Sequence, residues 1–264
     1  MQIKGRLVLV RHGESRWNNC NRFTGWVDIP LSENGIHEAE LCAKECAKFS
    51  FNTIFTSTLA RAQSTAVIIL AHQNRNGIFQ HEEDPRYKRW IHYSNQCGGD
   101  DIPIYFTPLL NERYYGKLQG MNKDDARAKY GVEKVESWRR GFKNKPPGGE
   151  SLKEVFGRVY PYFKKNIVPC VRKNETVLVS SHGNALRAIV KELEGISDTD
   201  IAYVNFPTAK PIIYELEGED CFVRVSGEYE FNHPDKSRSL KRKSVMCYGK
   251  LANQKKKIEV NTNK

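Results

Sequence analysis

Apolar positions in this chain fall into two rhythms. Short unbroken apolar runs alternate with longer stretches in which apolar residues recur every three or four positions. Leu7, Val8, Leu9 and Val10 form a run with no polar alternation, which predicts a buried strand over residues 6–10. "NTIFTS" at 52–57 and residues 175–181 and 211–216 are read as further strands. Ser32 can cap a helix starting at Glu33, where Ile36, Ala39, Ala43, Cys46 and Ala47 follow at helical spacing. "TLARAQSTAVIILA" reads as a second helix with Thr58 near its cap, and Asn184 to Glu194 as another. In "ESLKEVFGRVYPYFKKNIV", Leu152, Val155, Phe156, Val159, Phe163 and Ile167 share one helical side, and Pro161 is expected to bend the helix.

Strands alternating with helices predict an α/β fold in three layers, a mainly parallel sheet flanked by helices on both faces. Two stretches depart from that rhythm. Residues 72–107 are polar and irregular ("HEEDPRYKRW", "NQCGGDD") and read as an inserted surface loop, too short for a core of its own. No periodicity follows Phe231. The expected organisation is one catalytic domain over 1–231, carrying the insertion at about 72–107, and a basic, mobile tail over 232–264.

Composition narrows the function classes. The net charge of +11 is concentrated in the tail: residues 235–264 hold ten Lys/Arg against two Asp/Glu, or +8, and the remainder carries +3. The tail has few aromatics and no recognisable nucleic-acid module, so no nucleic-acid partner is expected. No apolar run approaches the roughly 18 residues of a membrane span. The first ten residues lack the apolar core of a secretory signal, so no membrane partner and a cytoplasmic location are expected. Seven cysteines, an odd number with no CxxC or Cys/His ligand spacing, point to reduced thiols and no metal site.

Two dipeptides carry the chemistry. "LVLVRHG" and "VLVSSHG" each end an apolar strand on His-Gly, at His12 and His182. Ligands of open parallel sheets bind beyond the carboxyl ends of the strands, so neighbouring strands would aim both imidazoles into one crevice. Gly13 and Gly183 would allow close backbone approach there, and the helices that follow add N–H donors. A lone histidine in such a place is commonly structural. The repetition, with Arg11 before one copy, favours a site. Arg11 and Arg61 supply planar forks for phosphoryl oxygens. A neutral imidazole among them is a competent nucleophile for phosphorus. There is no Walker loop, GxGxxG or metal motif, so fixed cations must neutralise the transition state.

At greater length, "LVLVRHGESRWNNCNRFTGWVDIPLSENG", "TSTLARAQST", "LLNERYYGKLQGMNK", "WRRGF", "GGESL", "SSHGNALRAIVKELEGIS" and "NFPTAKPIIYEL" resemble the cofactor-dependent phosphoglycerate mutases of the histidine phosphatase superfamily. The resemblance covers most of residues 7–216, with 72–107 the main exception. It implies that His12 is the phosphorylated nucleophile, surrounded by Arg11, Asn18, Arg61 and His182, with Gly183 and Asn184 in the matched "HGN". It makes Glu112 the general acid/base for the substrate hydroxyl and places Ser15 near the substrate hydroxyls. Thr24 and Gly25 become the substrate loop, and Tyr115, Lys123, Arg139 and Arg140 the holders of the distal phosphate and carboxylate.

The implied reaction is the interconversion of 3-phosphoglycerate and 2-phosphoglycerate, primed by 2,3-bisphosphoglycerate and independent of metal. The tail is then a candidate lid. Tyr114 stands where the family usually has histidine, and the length of 72–107 leaves subunit number open, a homo-oligomer included. Competing readings are a bisphosphoglycerate mutase or phosphatase, a broader phosphatase of small esters, and a binding module without turnover.

Overall fold

A computed structural model of the chain describes residues 4–81, 101–218, 221–236, 239–240 and 246–247. Among the described residues ten strands form in chain order: β1 (Arg6–Arg11), β2 (Thr53–Ser57), β3 (Gly77–Gln80), β4 (Ile102–Thr107), β5 (Thr176–Ser181), β6 (Val204–Asn205), β7 (Pro211–Glu217), β8 (Cys221–Ser226), β9 (Glu230–Phe231) and β10 (Met246–Cys247). Eight of them make one sheet in the order β10-β8-β7-β1-β5-β2-β4-β3. β1, β5, β2, β4 and β3 pair parallel, whereas β7, β8 and β10 add antiparallel on the other side of β1. β6 and β9 form a separate antiparallel pair.

The helices are α1 (Arg16–Asn19), α2 (Glu33–Cys46), α3 (Ala60–Ala71), α4 (Lys123–Tyr130), α5 (Val132–Arg140), α6 (Leu152–Tyr162), α7 (Val168–Arg172) and α8 (Gly183–Glu194). The unbroken apolar run of β1 has a direct cause: its successive residues enter two different cores. Leu7 and Leu9 pack with Val155, Val159 and Ile189 of α6 and α8, while Val8 and Val10 pack with Cys42, Ala43, Ala66 and Ile69 of α2 and α3. All four are fully buried, so the three-layer expectation holds.

Local chemistry sets the helix boundaries. The Ser32 hydroxyl accepts the Gly35 N–H (3.0 Å) and starts α2 where expected. Thr58 does not cap α3. Its hydroxyl donates to Asn111 Oδ1 (2.9 Å), and the Ala60 N–H is met by Asp28 Oδ1 (2.7 Å), from a loop distant in sequence. Ser151 and Glu154 close a capping box on α6. Pro161 lacks an N–H, and the helix passes through a π turn at Phe163–Ile167 before α7. Phe163 and Ile167 remain buried through that turn.

The stretch read as an inserted loop is corrected at both ends. Gly77–Gln80 and Ile102–Thr107 are parallel strands that extend the sheet beyond β2. β3 has only four residues, all half-buried, which leaves no apolar signature to read. Residues 82–100 lie outside the described residues. Part of the expected tail also joins the sheet, since β10 pairs with β8, while residues 248–264 lie outside the described residues. Cys221 is disulfide-bonded, contrary to the reduced-thiol expectation, whereas Cys20, Cys42, Cys46 and Cys170 are free. Among the described residues no helix is long and apolar enough to cross a membrane.

The two glycines after the histidine strands differ in role. A Cβ on Gly13 would lie 2.2 Å from the Gly35 carbonyl oxygen, because the start of α2 abuts this loop. A Cβ on Gly183 would meet nothing nearer than Glu112 Oε2 at 3.9 Å and would project towards the cleft at the strand ends. Close backbone approach is therefore required at Gly13 and not at Gly183. Gly13→Ala should destabilise the fold by about 1–3 kcal/mol, as overpacking does, and lower the Tm by several degrees. Gly183→Ala, at a helical position, should leave the Tm unchanged or raise it slightly. Equal thermal unfolding of the two variants would contradict this assignment.

Candidate active site

β1 and β5 pair in register to their last residues, Arg11 opposite Ser181. The next residue of each strand is a histidine, and the pairing sets the His12 and His182 rings 4.9 Å apart, tilted by 59°. Both are buried. His12 Nδ1 lies 2.6 Å from the Gly13 carbonyl oxygen. A carbonyl can only accept, so Nδ1 carries the hydrogen and Nε2 keeps its lone pair. His182 Nε2 lies 2.8 Å from Ser57 Oγ, and its Nδ1 is buried without a partner among the described residues. Burial, with Arg61 and Arg11 nearby, holds both imidazoles well below the ordinary histidine pKa, so both are neutral at physiological pH.

Arg11 and Arg61 are anchored by backbone carbonyls. Arg11 Nη1 donates to Phe206 O (2.7 Å), and Arg61 donates to Val27 O (3.0 Å) and Gly25 O (2.8 Å). Burial lowers both, Arg61 to about 10, which still leaves its guanidinium charged near neutrality. The Nε of each is buried without a partner among the described residues. Thr65 ties this corner together by accepting the Gly13 N–H (3.1 Å) and donating to Arg61 O (2.8 Å).

Glu112 is held from several sides. Its Oε1 accepts the Arg113 N–H (2.6 Å) and Asn184 Nδ2 (2.5 Å), and its Oε2 faces the Asn184 N–H at 3.4 Å. Burial pushes this carboxyl up, but those hydrogen bonds and the Arg113 and Arg187 guanidiniums outweigh it and hold the pKa below the ordinary value. The Asn184 amide is itself fixed, because its Oδ1 accepts from Arg113 (3.0 Å) and from Arg187 (2.8 Å). Arg113 is 1% exposed and donates to the Trp138 and Arg139 carbonyls at the end of α5.

The cleft over the histidines is a cavity of about 140 Å³. That is below the roughly 300 Å³ at which drug-sized sites begin, so it suits a small molecule. Arg11, His12, Asn18, Thr24, Gly25, Arg61, Glu112, Tyr115, Lys123, Arg139, Arg140, Gly183 and Asn184 line it. Lys123 opens α4, Arg139 and Arg140 end α5, and burial with Arg139 and Arg11 lowers Lys123 to about 8. Thr24 Oγ1 is buried and has no partner among the described residues. Gly25 has φ +54°, and a Cβ there would strike Gln119 Oε1, which accepts the Trp26 N–H (2.8 Å).

His182 stands in the wall beside His12 rather than on the cleft surface. Ser15 does not line the cleft either. It is fully buried, and its N–H and hydroxyl are spent on a capping box with Asn18 that starts α1. Tyr114 also lies off the cleft, edge-on to Trp26 at the rim.

The structure adds Arg22, Phe23, Arg187 and Asn205 to the lining. Only Arg187 left a trace in the sequence, three residues after Asn184 and so on the same helical face. Among the described residues, seven cations and one carboxylate line the cleft. No group of three or more potential metal ligands occurs among them.

The histidine phosphatase superfamily (branch 1) matches residues 7–88 and 86–228 of this chain. The 2,3-bisphosphoglycerate-dependent phosphoglycerate mutase of Methanosarcina mazei is 47% identical over 233 residues, covering 86% of this chain and 96% of the relative. The enzyme of that name from Chlamydia pneumoniae is 42% identical over 211 residues, covering 79% and 92%. Among solved structures, Bacillus stearothermophilus YhfR superposes with a TM-score of 0.65 at 26% identity, over 83% of this chain and 95% of that one. A mycobacterial glucosyl-3-phosphoglycerate phosphatase in complex with VO3 shares the fold, with a TM-score of 0.60 at 22% identity, over 79% and 92%. The chain belongs to the histidine phosphatase superfamily and, within it, to the 2,3-bisphosphoglycerate-dependent phosphoglycerate mutases.

Proposed function

We propose that this chain interconverts 3-phosphoglycerate and 2-phosphoglycerate, a step of glycolysis and gluconeogenesis, through a phosphohistidine at His12. The observation that carries the reading is the pair of neutral histidines, 4.9 Å apart, at the foot of a cleft that also holds a buried carboxylate and two groups of cations. Among the described residues, those lining the cleft fall between positions 11 and 205, in keeping with one catalytic unit over 1–231.

The geometry supports the following roles. His12 presents the Nε2 lone pair because Nδ1–H is committed to Gly13 O. Arg11 and Arg61 face the phosphoryl group with guanidiniums held by neutral carbonyls, so their charge is available to the oxygens of the transition state. Asn18 and Gly183 complete that end of the cleft. Glu112, ionised at neutral pH, accepts the proton of the attacking substrate hydroxyl and returns it to the leaving oxygen in the reverse direction. Lys123, Arg139, Arg140 and Tyr115, with Thr24 and Gly25, hold the substrate carboxylate and its second phosphate.

2,3-Bisphosphoglycerate fits this lining as the priming group. Arg11 Nε, Arg61 Nε and Thr24 Oγ1 on the lining, and His182 Nδ1 in the wall beside it, are buried polar atoms without partners among the described residues, and an anion with two phosphates would offer them acceptors. When bound, it supplies the phosphoryl group that charges His12.

The decisive experiment is to incubate the protein with 2,3-bisphosphoglycerate and test for acid-labile, base-stable phosphate, then couple 3-phosphoglycerate turnover to enolase. A mutase charges, is stimulated by the bisphosphate and releases little inorganic phosphate. Stoichiometric phosphate release would make it a phosphatase, and neither response would make it a binding module. His12→Ala should abolish charging. Glu112→Gln should lower kcat about 100- to 10,000-fold with a smaller change in KM.

A pH dependence follows from Lys123, which is charged below about pH 8 and neutral above it. KM for phosphoglycerate should therefore rise between pH 7 and pH 9, and Lys123→Arg should flatten the rise. A steep rise that survives Lys123→Arg would remove this residue from the substrate contacts.

A further inference from the structure

Ser57 is the last residue of β2 and is fully buried. β2 lies beside β5 in parallel register, Thr56 opposite Ser180, which brings the Ser57 hydroxyl alongside the histidine that follows β5. Ser57 Oγ accepts the Leu59 N–H (3.1 Å) and lies 2.8 Å from His182 Nε2. Among the described residues, Nε2 is the only acceptor recorded for the Ser57 hydroxyl hydrogen. Were Nε2 to carry the hydrogen instead, the Ser57 O–H would be buried with no acceptor, an arrangement folded proteins avoid.

The geometry points to Ser57 as a positioning residue that donates to His182 Nε2, fixing the neutral Nδ1–H tautomer of His182 beside the nucleophile. The inference rests on the proposed phosphoryl transfer at His12 and goes beyond it, because it assigns a proton position and a residue outside the cleft lining. Nδ1 is the ring nitrogen without a partner among the described residues, so its hydrogen is left for an oxygen of the transferring group. The opposite tautomer would turn a lone pair towards an anion. An imidazolium is opposed by burial and by the nearby Arg61, His12, Arg11 and Arg158. His182 then acts as a neutral hydrogen-bond donor that gains and loses no proton during transfer. His12 shows the same device, its Nδ1–H held by a backbone carbonyl.

The test is nitrogen-15 NMR of the full chain labelled at histidine, at neutral pH, with His182 assigned by comparison with His182→Gln. The expected spectrum has a protonated Nδ1 and a lone-pair Nε2 on His182. In Ser57→Ala the preference should be lost, and charging of His12 by 2,3-bisphosphoglycerate should slow roughly ten- to a hundredfold, on the scale of a weakened oxyanion donor. Ser57→Thr, which keeps a hydroxyl, should restore the tautomer. A wild-type spectrum showing Nε2–H or an imidazolium overturns the inference, as does a Ser57→Ala spectrum unchanged at His182. A merely structural serine would lower the Tm of Ser57→Ala without moving the tautomer. Should Ser57→Ala not fold, the wild-type spectrum alone decides the proton position. Should the wild type fail to charge, the mutase reading falls, while the tautomer is still read without turnover.

Discussion

The in-register pairing of β1 with β5, from Arg6 opposite Thr176 to Arg11 opposite Ser181, is the constraint on which the site depends. Two histidines 170 positions apart in sequence become neighbours because each follows the last residue of its strand. A slip of one residue would turn every side chain of the moving strand to the other face, and Leu7 and Leu9 would exchange cores with Val8 and Val10. The same packing that makes the core apolar on both sides of the sheet therefore also sets the distance between the two imidazoles. Ser57 at the end of β2 and Gly13 against α2 extend that control to the ring edges and to the loop.

Electrostatics is the second constraint. Burying guanidinium groups costs several kcal/mol each unless hydrogen bonds compensate. Here the compensation comes mainly from neutral carbonyls: Phe206 O for Arg11, Val27 O and Gly25 O for Arg61, Trp138 O and Arg139 O for Arg113, and Val204 O for Arg187. Carboxylate partners would have cancelled the charge. Carbonyls satisfy the donors and leave the field intact, so the cleft remains a positive well for small anions. Burial, reinforced by that field, keeps both histidines neutral, and hydrogen bonds from the Arg113 N–H and Asn184, with the Arg113 and Arg187 charges, keep Glu112 ionised; these are the protonation states that nucleophilic attack and proton acceptance require. Carboxylate pairing is the exception: Glu136 pairs with Arg139 of the cleft as well as with Arg127, and Arg158 combines Glu150 with the Leu109, Asn111 and Glu112 carbonyls.

Asn184 joins the two ends of the cleft. Its amide takes hydrogen bonds from Arg113 and Arg187 on one edge and gives them to Glu112 and Tyr115 on the other. Arg113 in turn holds the end of α5, from which Arg139 and Arg140 reach the cleft. The carboxylate and the distal cations are thus parts of one rigid frame, and a small shift of α5 would be felt at Glu112.

The sequence by itself determined what short-range physics can express. An unbroken apolar run marked β1, short strand-like segments marked β2, β5 and β7, helical spacing marked α2, α3, α6 and α8, and the two His-Gly dipeptides marked the strand ends of the site. Motif likeness added the distal cations and Glu112, which composition and periodicity could not separate from a solvated helix face. The tertiary structure alone decided which polar group meets which. Ser15 turned inward to cap α1 instead of facing the cleft, and Thr58 bonded Asn111 while Asp28 capped α3. Gly183 proved unnecessary for backbone approach, and the short strands took shape only in the sheet, β4 against β2 and β3 against β4. Apart from the Ser15 cap, whose partner Asn18 is three residues on, each of these depends on a partner tens of residues away. Sequence periodicity reports whether a residue is buried, but the partner of a buried polar atom exists only once the chain has closed around it.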